Sequence, residues 1–113
     1  MPDPKPAQDE VYEAVSAAYD QVESLYDASE GTDSVTFFKA LVEISKLRTA
    51  LNQSHLESRT GEYEAMKEAI GGIIGEIQNA QKSINNVIKV AATATKIAGY
   101  LDKAANLAAK YFA

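Results

Sequence analysis

The chain has 113 residues, 46% of them apolar and 24% charged, with a formal net charge of −5; this fits one ordinary globular domain and excludes a disordered chain. It contains no cysteine, which removes disulfides, thiolate catalysis and cysteine-ligated metal sites together. All three prolines lie within the first six residues, so nothing after Pro6 is barred from helix by proline, and an all-α fold is expected.

Residues 1–6, Met-Pro-Asp-Pro-Lys-Pro, read as a flexible leader ahead of a single helical domain over 7–113. The leader has no basic region followed by an apolar core, so no secretory signal is expected there. No apolar run approaches the ~18 residues of a membrane span. The stretch from Ala69 to Gly75 is bracketed by Glu68 and Glu76. A cytoplasmic location is the expectation, with export lacking an N-terminal signal as the alternative.

The first helix should run from about Ala7 to Ala28, its seam being Val11, Val15, Ala18, Val22 and Leu25. Tyr12, Tyr19 and Tyr26 repeat every seven residues beside that seam and should cap the core with their hydroxyls in water. Charge is uneven along the chain: residues 1–34 hold nine acids against Lys5, a balance of −8. Residues 79–113 hold five lysines against Asp102, a balance of +4. Either the two ends attract each other, or each addresses a different partner, or both are solvated faces.

Glu30-Gly31-Thr32-Asp33-Ser34 is the clearest break, with glycine as a left-handed stop and Thr32, Asp33 or Ser34 as the next cap. So short a loop makes the flanking helices an antiparallel hairpin. The second helix should span about 34–58 with Phe37, Ala40, Ile44, Leu47 and Leu51 on its seam. Phe38 and Leu41 widen that seam, and the two phenylalanines are expected to plug the hairpin core. Apolar character then fades, the heptad loses phase, and a turn at about Arg59 to Gly61 is expected, with a continuous helix carrying a stutter as the competitor.

From Glu62 onward a heptad register holds to the end of the chain. Tyr63, Ile70, Ile77, Ile84, Ala91, Ala98, Ala105 and Phe112 occupy position a, while Met66, Ile73, Ala80, Val87, Ala94, Leu101 and Ala108 occupy d. The favoured expectation is one long helix over about 62–112, forming a bundle or an oligomeric coiled coil. The alternative is a monomeric four-helix bundle with a break near Gly71–Gly75 or Asn85–Asn86. Val90, Ile97, Tyr100, Leu107 and Tyr111 at g and c broaden the apolar face. Lys82, Lys89, Lys96, Lys103 and Lys110 all fall on f, opposite the seam. That basic stripe suits a solvated face, an anionic membrane surface or an acidic helix. It reads no bases, so nucleic acid is not an expected partner.

Chemistry-bearing motifs are sparse. His55 is the only histidine, so neither a zinc site nor the paired Glu-x-x-His of a diiron bundle is supported. Glu57, Glu62, Glu64 and Glu68 read as scattered surface acids rather than a calcium site. Gly71-Gly-Ile-Ile-Gly75 has a GxxxG spacing but no preceding strand and no following Gly-Lys-Ser/Thr, so it is not a nucleotide loop. No nucleophile elbow or buried carboxylate pair is visible. No catalytic residue, cofactor, metal or small-molecule substrate is expected.

The leading expectation is therefore a non-enzymatic interaction protein that self-associates or binds a helical partner. Its interface would be Tyr63, Met66, Ile70, Ile73, Ile77, Ile84, Val87, Ala91, Ala94, Ala98 and Leu101, the isoleucines supplying energy and the alanines close approach. A membrane-active or exported amphipathic protein is the alternative, and a small antitoxin, immunity or phage-type inhibitor protein a further one. In size and hairpin form the chain is similar to the WXG100-type substrates of signal-less secretion. It departs from them in having no tryptophan, and Glu30-Gly31-Thr32 does not reproduce their Trp-x-Gly turn.

Overall fold

Four helices form: α1 (Gln8–Ala28), α2 (Gly31–Asn52), α3 (Gly61–Val87) and α4 (Ala91–Tyr111). The computed structural model describes residues 6–52 and 61–112, without the side chains of 61–63 and 66, and among them there is no strand. The expected end of the second helix at Ser58, the turn at 59–60 and His55 lie outside the described residues.

α1 matches its sequence pattern. Asp9 and Glu10 sit in its first turn, where carboxylates favour the free amides, and Val11, Val15, Ala18 and Val22 are fully buried. The helix ends as Ser29 turns extended, its backbone N–H and its Oγ both donating to the carbonyl of Tyr26 at 3.2 and 2.9 Å. Gly31 then takes φ 66, a left-handed conformation that glycine alone adopts without a Cβ penalty. α2 begins at that glycine, three residues earlier than Ser34, so Thr32, Asp33 and Ser34 form its first turn instead of capping it.

The largest correction concerns the C-terminal half. The heptad stretch is two helices separated by Ile88, Lys89 and Val90, not one helix over 62–112. α3 runs unbroken through Gly71, Gly72 and Gly75 and stops just past Asn85–Asn86. A straight helix of 50 residues would extend about 75 Å. The described chain is only 45 Å in its longest dimension. Val90, expected to broaden the apolar face, is instead the residue before α4, extended at φ −91 and ψ 113 and 61% exposed.

The helices pack in a ring: α1 against α2 and α4, α3 against α2 and α4. Gln8 Nε2, at the start of α1, donates to the backbone carbonyl of Leu51 near the end of α2, which fixes those two as antiparallel. Ile44, Leu47 and Leu51 of α2, Ile70, Ile77 and Ile84 of α3, and Leu101 of α4 fill the centre with the α1 valines. α1 and α4 also bury small side chains, Ala14 and Ala18 on one and Ala104, Ala105 and Ala108 on the other.

Candidate functional site

α2 carries apolar residues on opposite sides. At 3.6 residues per turn, Phe37, Ala40, Ile44, Leu47 and Leu51 share one face, and all are buried. Val35, Phe38 and Val42, spaced three and four apart, share the other; they are 52%, 52% and 36% exposed. Phe38 therefore does not join Phe37 as a core plug. Its ring lies outside, tilted 42° against Tyr26 of α1 with 6.0 Å between centroids.

Phe38 and Val42 of this outer face lie on the floor of an open groove of about 850 Å³, with Val35 beyond its end. Tyr19 and Tyr26 of α1 make one wall, Ala69 and Ile73 of α3 the other, and Leu41, Val42 and Ala50 of α2 lie between them. Tyr19 is held in place by the Arg48 guanidinium, whose carbon stands 4.6 Å from the ring centroid. A smaller recess of about 480 Å³ continues on the α3 side, sharing Phe38 and Val42 and adding Lys39 and Glu76.

Acids dominate the rim. Glu23 and Asp27 stand on the α1 wall, and α1 contains no lysine or arginine at all. Lys46 of α2 is bound to Glu43 at 3.0 Å, an exposed i,i+3 pair that cancels its charge locally and contributes little stability. Glu23, Asp27 and Glu76 then stand against Lys39 and the Arg48 guanidinium beside Tyr19. Among the described residues no cluster of three histidine or acidic side chains could hold a metal ion.

The expected seam is placed differently. Ile70, Ile77, Ile84 and Leu101 are buried inside one copy of the chain, so their apolar surface is already covered. Ile73 and Val87 are half-buried against that core. Ala91 is exposed and Ala94 and Ala98 are half-buried; close packing on α4 falls instead to Ala104, Ala105 and Ala108. The side chains of Tyr63 and Met66 lie outside the described residues. All five stripe lysines are exposed, but Lys82 belongs to α3, Lys89 to the connection and Lys96, Lys103 and Lys110 to α4, so the stripe is not one line. No ion pair joins the α1 acids to the α4 lysines among the described residues.

Val35, Phe38 and Val42 were within reach of sequence reasoning. Six of the eight residues from Val35 to Val42 are apolar, more than one buried face can hold. No known family model matches the chain, and no curated protein or solved structure does either. Among the described residues no helix is long and apolar enough to cross a membrane.

Proposed function

We propose that this chain is a non-enzymatic interaction protein in which a four-helix bundle presents the outer face of α2 to another helix, from a partner or a second copy. The observation that carries the reading is the row Val35, Phe38 and Val42, opposite a core that is complete without it. Fully burying a valine or phenylalanine stabilises by roughly 1.5–3 kcal/mol, so covering three half-exposed ones contributes about 2–4 kcal/mol to association. That is a modest anchor, and wall contacts from Tyr19, Tyr26 and Ile73 add to it. The seam isoleucines act here as the scaffold that holds α2 in place.

The test combines light scattering over a concentration range with titration of amphipathic helical peptides, using the intact chain and its Phe38→Asp variant. The reading expects either mass that rises with concentration or binding of a helix, and loss of both in the variant while its melting curve stays cooperative. A wild-type chain that remains a 12.2 kDa monomer and binds no helix of either charge sinks it.

A further inference from the structure

We infer that the groove over α2 is a seat for a basic amphipathic helix of a partner protein; this rests on the reading above and names the occupant's chemistry. Shape comes first. The floor runs from Phe38 to Ala50, and at 1.5 Å per residue that is a channel on the order of 18 Å, the length of three helical turns. An open apolar channel between two walls suits a helix laid lengthwise, with anchors at i, i+3 or i+4, and i+7.

Charge then selects the occupant. Glu23 and Asp27 line the α1 wall, and Glu76 stands on the α3 side. Asp20 lies one turn from Glu23 on the same exposed side of α1. Lys46 is taken by Glu43 and the Arg48 guanidinium lies over the Tyr19 ring, which leaves Lys39 as the remaining basic residue lining the two recesses. A helix with lysines or arginines flanking its apolar face would meet Glu23 and Asp27 along the α1 edge and Glu76 in the adjoining recess.

The same pattern disfavours a second copy. Two α2 helices related by a two-fold axis across them set the α1 flank against its own equivalent, Glu23 and Asp27 facing Glu23 and Asp27. A two-fold axis along them sets that flank against Glu76. Either arrangement brings acid onto acid.

The experiment titrates the full chain with three synthetic 18-residue peptides. One carries leucines on a single helical face with lysines elsewhere, one has glutamates in place of the lysines, and one is the lysine peptide scrambled so that no apolar face exists. The expected result is binding of the ordered lysine peptide, at least about tenfold tighter than either control, and weakening as salt rises. Phe38→Ser should reduce that affinity about tenfold or more, and Glu23→Lys with Asp27→Lys should lower it and flatten its salt dependence.

Equal affinity for the lysine and glutamate peptides overturns the inference but leaves the interaction reading standing. So does Phe38-dependent doubling of mass that excludes the peptide, which would make a second copy the occupant. Lysine-peptide binding that ignores Phe38→Ser also overturns it, because charge on α1 alone would then explain the binding. If neither ordered peptide binds and the chain stays monomeric, the interaction reading falls with it.

Discussion

α2 and α4 have nearly the same length, 22 and 21 residues, and each packs against two neighbours in the ring. α4 is segregated as a bundle helix requires, with Ile97, Leu101, Ala104, Ala105 and Ala108 inward and Lys96, Lys103 and Lys110 outward. α2 buries a comparable face and still carries Val35, Phe38 and Val42 on the other side. Folding accounts for every apolar residue from Ile97 to Ala108 on α4 that is buried, but it gives no use for the outer three on α2. An apolar surplus beyond what the core uses is the feature a monomer has least reason to carry.

The sharpest way to break that contrast is to truncate both faces of α2. Leu47→Ala removes a fully buried side chain and should destabilise the bundle by about 2–5 kcal/mol, as should Leu101→Ala on α4. Val42→Ala, on the outer face, should change stability by less than about 1 kcal/mol. Urea unfolding monitored by circular dichroism measures all three. A large loss from Val42→Ala would mean that the outer face is structural, and the distinction between the helices would disappear.

Much of this architecture is legible in the sequence because valine, leucine and isoleucine at helical spacing have one stable place to go. Val11, Val15, Ala18 and Val22 of the α1 seam and the inner face of α2 are buried as their spacing requires, while Leu25 is half-buried. Alanine carries less information. Ala91, Ala94 and Ala98 extend an apolar count at a and d, yet Ala91 is exposed and the buried face of α4 includes Ile97 and Ala104 at g. The apparent register thus crosses a connection that has in fact shifted it. That connection, Ile88-Lys89-Val90, contains neither glycine nor proline, and its two β-branched residues resemble seam. Phe38 was hidden for a different reason: a phenylalanine next to a buried phenylalanine reads as core until its angular position is compared with Val35 and Val42.

How the two helices begin extends the comparison to smaller effects. α2 starts at Gly31 with φ 66, where a side chain meets no neighbouring atom but the backbone itself is unfavourable. Gly31→Ala should therefore cost about 1–2 kcal/mol. α4 starts after Val90, which has cap-like extended backbone but supplies no side-chain hydrogen bond, and its first turn contains no acid. Val90→Asp places an acceptor and a negative charge at free amides, and should stabilise by roughly 0.5–2 kcal/mol. Opposite signs from these two substitutions in thermal melts would fix both helix starts; a loss from Val90→Asp would place the start of α4 elsewhere.

The smallest expected effect belongs to the lysines. Lys96, Lys103 and Lys110 are exposed, and no ion pair ties them to α1 among the described residues. Replacing all three by glutamine should leave the unfolding midpoint nearly unchanged, each substitution contributing within about ±0.5 kcal/mol. The same variant tests whether α4 works as a membrane-surface helix. Such a helix needs an apolar face available to lipid, whereas Ile97, Leu101 and Ala108 of α4 are buried against the other helices. The bundle as folded should not float with anionic vesicles, and the triple glutamine variant should behave identically. Flotation of the wild type that the variant loses would mean that α4 leaves the bundle at a charged surface. In that case the helix whose large apolar side chains pack on the core would be the functional one, and the surplus on α2 would need a different account.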